Sequence, residues 1–173
     1  EAGQTVTVMF NGRPYTATVD NNGEWTLTVP SADLAGLTDG SARVEVSVSN
    51  AAGNSASATH DYSVDTTAPV ITISTLAADD ILNASEAQAD LVITGTTTAP
   101  AGQTVTVTIN GNDYTALVQA NGSWSVTVPA AAAGALTSGN VTATVSDAAG
   151  NTGSASHALT VDTTSPVVTI STV

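Results

Sequence analysis

Apolar residues alternate with small polar ones along most of the chain. Val6, Val8 and Phe10 are separated by Thr7 and Met9, and Trp124, Val126 and Val128 by Ser125 and Thr127. Val141, Ala143 and Val145 follow the same rule. A period of two sends successive side chains to opposite faces of a strand, and the branched Cβ of Thr suits the outer face. Helical spacing appears nowhere over a useful length. Asn11-Gly12 and Asn110-Gly111 stand between alternating runs. This marks two-residue hairpins, whose type I′ turn needs positive φ at both central residues. The pattern predicts seven strands, at 70–75, 91–97, 104–110, 113–119, 123–129, 141–147 and 155–161. Seven short strands in about 100 residues, with regularly spaced turns, suggest an immunoglobulin-like β-sandwich. Trp25 and Trp124 share the phase of the inward valines on the fifth strand and are expected as core anchors rather than exposed stacking residues.

The pattern also repeats on a larger scale. Ala2 to Val8 recurs unchanged as Ala101 to Val107, and Asn22-Gly23 before Trp25 recurs as Asn121-Gly122 before Trp124. These pairs share an offset of 99, which falls to 97 after Gly40 and Gly139. His60 then matches His157, and Val64-Asp65-Thr66-Thr67 matches Val161 to Thr164. A repeat of this length is one small domain. The expected organisation is all-β: tandem immunoglobulin-like sandwiches of seven antiparallel strands each, in an elongated array. Residues 1–65 are the later strands of one repeat, residues 66–162 a complete repeat, and residues 163–173 the linker and first strand of a third. The first repeat lacks its opening two strands here, so exposed core and open strand edges are expected in it.

Composition narrows the function. The formal net charge is −13, from 15 acids against two arginines, yet only 10% of residues are charged and 42% are hydrophobic. That is enough apolar material for a core. Arg13 and Arg43 cannot form the basic groove that a nucleic-acid backbone requires. An anionic membrane surface would repel the chain, and no apolar run approaches the roughly 20 residues of a membrane span. There is no cysteine, which removes disulfides, thiol nucleophiles and Cys-ligated zinc. One histidine per repeat makes a zinc or catalytic role improbable, and His60 and His157 read as packed, hydrogen-bonded residues. No Gly-x-Ser-x-Gly elbow supports a Ser–His–Asp triad, and aromatics are only 3% of the chain.

The acids gather in loops at the domain ends. Asp79, Asp80, Asn83 and Glu86 fall between the first two strands of the complete repeat, and Asp162 ends its last strand. In a sandwich those positions share one end. Asp147 opens the last turn at the other end, where Asp65 lies in the incoming linker. Carboxylates held a few ångströms apart repel one another, by several kcal/mol at an effective dielectric of about 20. Oxygen-only donors select a hard cation, and Ca2+ accepts 6–8 oxygens in flexible geometry. Two sites are therefore expected: Asp79, Asp80, Asn83 and Glu86 with Asp162, and Asp65 with Asp147. Against this stands the reading of these residues as solvated acids and turn caps.

Asp-Thr-Thr-Ala-Pro at 65–69, Asp-Asp-Ile-Leu-Asn-Ala-Ser-Glu at 79–86, Asn-Gly-Ser-Trp at 121–124 and Ser-Asp-Ala-Ala-Gly-Asn at 146–151 resemble bacterial immunoglobulin-like repeats. Such repeats fill the extender regions of giant adhesins secreted by type I systems, often with repeats-in-toxin ends. The resemblance implies a secreted, cell-surface, non-enzymatic spacer. Its partners would be neighbouring repeats of the same chain, and calcium at the junctions would limit bending. It implies junction roles for Asp79, Asp80, Glu86 and Asp162. Asn50 departs from the pattern where Asp147 stands. Two other readings stay open: a carbohydrate- or ice-binding module, and an accessory domain of a secreted polysaccharide-degrading enzyme.

Overall fold

The computed structural model describes residues 1–171, and these fall into two units, Glu1–Thr67 and Ala68 onward. In the first unit, β1 (Thr5–Phe10), β2 (Arg13–Thr18), β3 (Gly40–Ser49) and β4 (Ser55–Val64) form one antiparallel sheet in the order β2-β1-β3-β4. The β1–β2 hairpin turns on Asn11 and Gly12, with φ of 47° and 74°, as a type I′ turn requires. Val6, Val8 and Val19 are buried, with Leu27, Val44, Val46 and Val48 half-covered beside them. Phe10 stacks on Tyr62 with ring centroids 5.6 Å apart. A short helix α1 (Ser31–Leu34) precedes β3.

The second unit holds β5 (Ile71–Ile73), β6 (Ile81–Asn83), β7 (Leu91–Thr97), β8 (Thr104–Ile109), β9 (Asn112–Leu117), β10 (Ser123–Val128), β11 (Gly139–Ser146) and β12 (Thr152–Asp162). They build a three-stranded sheet, β10-β7-β5, and a five-stranded sheet, β6-β12-β11-β8-β9. A 3-10 turn spans Glu86–Gln88, and a short helix α2 spans Ala130–Ala133. The alternating valines of β8, β10 and β11 meet between the sheets, and Trp124 fills the middle at 1% exposure. Its cross-strand partner is Gly95. A Cβ at Gly95 would collide with the Thr72 carbonyl and the Trp124 ring, so the indole occupies the space that a side chain would take. Gly153 is constrained in the same way, because Pro69 lies against its backbone.

Three expectations are corrected. The unit has eight strands among the described residues, not seven, and one pairing is parallel. The first strand is divided. β5 pairs antiparallel with β7, and the chain then crosses so that β6 runs parallel to β12, with Thr160 opposite Ile81 and Asp162 opposite Asn83. One sandwich edge is covered by this crossing.

In the first unit, residues 24–30 carry the strand pattern but form no strand. Their counterpart β10 pairs with β7, and residues 1–65 contain no counterpart of β7. Trp25 accordingly lies 40% exposed, against the expectation of a core anchor.

Residues 163–171 also form no strand, and Val167, Val168 and Ile170 are exposed. The last two residues of the expected opening strand of a third repeat lie outside the described residues. Among the described residues no helix is long and apolar enough to cross a membrane.

Candidate metal centre

The seven candidate ligands do not fall in one place. The first place is the end of β6 and β12. Asn83 and Asp162 are register partners on these adjacent strands. Asn83 Oδ1 accepts the Ser85 and Glu86 N–H groups at 2.9 and 3.1 Å, and Glu86 Oε2 accepts the Asn83 N–H at 3.0 Å. This reciprocal arrangement is a capping box, which satisfies main-chain donors at the start of the 3-10 turn. Asp162 Oδ1 accepts the Thr164 hydroxyl at 2.7 Å and the Thr164 N–H at 3.1 Å. The Thr164 hydroxyl first, and then its N–H, hold the Asp162 carboxyl below its ordinary pKa. Glu86 Oε1 and Asp162 Oδ2 receive no donor among the described residues.

The second place is the loop between β5 and β6. Asp79 Oδ1 accepts the Ile81 N–H at 3.0 Å, a local turn. Asp80 turns onto β12: its Oδ1 accepts the Leu76 N–H at 2.8 Å and meets His157 Nε2 at 2.8 Å. These two partners, the Leu76 N–H foremost, lower the Asp80 pKa. Asp80 stands just before β6, three residues ahead of Asn83, and its carboxylate is engaged by Leu76 and His157.

The other two, Asp147 and Asp65, lie in separate turns of different units. Asp147 Oδ1 accepts the Ala149 and Asn151 N–H groups, each at 2.9 Å, and its Oδ2 accepts Asn151 Nδ2 at 3.0 Å. The Asn151 side chain is the leading cause of a lowered Asp147 pKa, with main-chain donors adding to it and partial burial opposing. Asn50, at the same repeat position, makes the same turn with an amide oxygen, accepting from Ala52 at 3.1 Å and Asn54 at 3.0 Å. The carboxylate charge is thus not needed for the turn. Asp65 Oδ1 accepts the Thr67 N–H at 3.2 Å.

No group of three or more His, Asp or Glu side chains converges on one point among the described residues. Asn83 Oδ1 already accepts two N–H groups, so the oxygens left for an ion are those of the Glu86 and Asp162 carboxylates. Those donors fit a hard cation, and main-chain carbonyls and water would have to complete a calcium shell of 6–8 oxygens.

One residue escaped sequence reasoning. Asp39 accepts the Thr66 N–H at 2.7 Å, the Thr66 hydroxyl at 2.6 Å and the Thr67 hydroxyl, which anchors the Asp-Thr-Thr segment at the end of the first unit. The two threonine hydroxyls lead the lowering of its pKa. The second repeat has Ser138 at this position, where Oγ accepts the Val161 N–H at 2.7 Å. The shift in repeat offset beside this loop was the available signal.

A two-sheet sandwich, preceded by a four-stranded sheet built from the same repeat, defines a repeat protein of the immunoglobulin-like class. The bacterial Ig-like domain family matches residues 1–66 and 68–163, and the chain belongs to that family. Among solved structures, it is 42% identical to a Ca2+-stabilized adhesin that helps an Antarctic bacterium reach out and bind ice, with a TM-score of 0.58 over 96% of this chain and 42% of that one. It is 38% identical to part of a 1.5-MDa bacterial ice-binding adhesin described for host cell surface retention, with a TM-score of 0.59 over 95% of this chain and 55% of that one. The chain thus spans about half or less of those structures' length. No match is found among curated proteins.

Proposed function

We propose that this chain is a non-enzymatic extender segment of a secreted bacterial cell-surface adhesin, stiffened by calcium. The observation that supports this most is its 42% identity, across nearly its whole length, to part of a Ca2+-stabilized adhesin. The divisions at 1–65, 66–162 and 163–173 make it a run of repeats. Each repeat's neighbours in the chain are its partners, and the adhesive surface belongs to another part of the molecule.

Calcium is assigned to the end of the second unit. Glu86 and Asp162 would hold the ion through carboxylate oxygens, with Asn83 beside them. The ion would supply positive charge between the capped turn after β6 and the point where the chain leaves β12. A like-charged pair would become a crosslink at the start of the linker Asp162-Thr163-Thr164-Ser165-Pro166. Pro166 restricts the backbone there, and the residue before it, further. Asp65 and Asp147 keep their turn roles, and the proposal does not require them as ligands.

An ion bound only by the folded state stabilises it by mass action, by about 2.7 kcal/mol at a hundredfold excess over Kd. Melting of the chain is therefore expected to shift upward between EDTA and millimolar Ca2+, with Mg2+ giving a smaller shift. Identical melting curves in EDTA and Ca2+ would refute the assignment.

A further inference from the structure

The loop between β5 and β6 holds three left-handed residues that are not glycine. Ala77, Ala78 and Asp80 have φ of 47°, 69° and 66°. Such conformations persist where surrounding contacts overdetermine them, and here the contacts come mainly through Asp80. Its N–H donates to the Leu76 carbonyl at 2.7 Å, and its Oδ1 accepts the Leu76 N–H at 2.8 Å. Its carbonyl accepts the Thr160 N–H at 2.9 Å, and Oδ1 also accepts from His157 Nε2 at 2.8 Å. An ionised carboxylate only accepts, so Nε2 carries the hydrogen. The two bonds to Leu76 close the loop on itself, and the two to Thr160 and His157 fasten it to β12. Leu76 and Leu82, on either side, are fully buried.

β6 is only three residues long, so its own ladder supplies few contacts to fix its register. We infer that Asp80 and His157 are positioning residues that set the register of β6 on β12, and that Asp80 is not a calcium ligand. With Asp80 fastened beside Thr160, Ile81, Leu82 and Asn83 fall opposite Thr160, Val161 and Asp162. A slip of two residues would move Asn83 by about 7 Å from Asp162. His60, at the same repeat position, lies exposed in a unit that has no counterpart of this loop. The consequence for calcium rests on the reading above: ligands from two separate segments meet only while this register holds.

The test is amide hydrogen exchange on the full chain in EDTA, paired with a Ca2+ titration. Asp80→Ala and His157→Ala are expected to speed exchange at residues 81–83 and Thr160, while β8 and β11 stay protected and report an intact fold. Asp80→Asn, which keeps an acceptor for the Leu76 N–H, is expected to restore much of that protection. Calcium affinity is expected to fall about 10–100-fold in the two alanine variants, the range typical of residues that orient ligands. Asp162→Asn is expected to weaken calcium binding without altering exchange in EDTA. The inference is overturned if Asp80→Ala leaves exchange at 81–83 and Thr160 unchanged. It is equally overturned if Asp80→Asn exchanges like the parent chain yet loses calcium as fully as Asp162→Asn. A parent chain that binds no calcium would refute the calcium reading alone, and the exchange results would still decide the register.

Discussion

Trp25 and Trp124 occupy the same place in two copies of one motif, Asn-Gly-x-Trp, and meet opposite fates. Trp124 is 1% exposed against Gly95, while Trp25 is 40% exposed in a segment that forms no strand. The local sequence is nearly identical, so the difference lies in what faces it. The second unit has β7 to pair with β10 and β5 to close the sheet, and residues 1–65 have neither. Strand propensity and alternation prepare a segment for a sheet, but cross-strand partners decide whether the sheet forms.

That comparison can be broken most forcefully at the tryptophans. Trp124→Ala should cost about 3–5 kcal/mol of stability in the second unit. Trp25→Ala should stay within about 1 kcal/mol, the range of a half-exposed site. Denaturant unfolding, followed by a probe in each unit, separates the two. Similar losses at both sites would mean that Trp25 is packed as tightly as Trp124.

Gly95→Ala comes next. The added Cβ meets the Thr72 carbonyl and the indole, and overpacking of this kind costs about 1–3 kcal/mol. Gly153→Ala should also destabilise, because Pro69 lies against that backbone. The first repeat has Ala56 at the same position, in a unit with no counterpart of Pro69, so Ala56→Gly should cost no more than about 1 kcal/mol. Thermal melts of the three variants check the order.

The smallest effect sharpens the contrast between Asp147 and Asn50. The folded Asp147 pKa is lowered, chiefly by the Asn151 side chain. Its contribution is therefore present above the unfolded carboxylate pKa and is lost as pH falls through the lower folded value. Asn50 supports the same turn without titrating. Asp147→Asn should flatten the acid side of the second unit's stability curve and leave stability near neutral pH almost unchanged. An unaltered acid limb would show that the carboxylate does not titrate with folding.

Much of this architecture was legible in the sequence, for physical reasons. Alternation located β7 to β12 closely, because each runs for six residues or more with one face at least partly covered. Asn11-Gly12 and Asn110-Gly111 fixed the hairpins through their positive φ. β6 was hidden because Ile81-Leu82-Asn83 is short, sits among acids and pairs in parallel with a strand some 80 residues away. The fate of Trp25 was hidden because alternation says which face is apolar and not whether a partner is present.

The candidate site was legible in composition and in part by place. The loop acids were expected together at one end; Asn83 and Asp162 are register partners there, and Glu86 accepts the Asn83 N–H. That expectation did not foresee the partners of Asp80, the nearby Leu76 N–H and His157, which is 77 positions along the chain. Asp39 was missed because its three donors lie in Thr66 and Thr67, far along the chain and ordinary in type.

The central claim is that calcium stiffens this chain through Glu86 and Asp162, and calorimetric titration of Ca2+ tests it most directly. The parent chain is expected to bind with a Kd of about 10⁻⁴–10⁻³ M or tighter, as extracellular calcium modules do. Asp162→Asn and Glu86→Gln should each weaken that binding at least about tenfold, a loss of one charged ligand. No measurable binding by the parent chain, or equal binding by both variants, would contradict the claim.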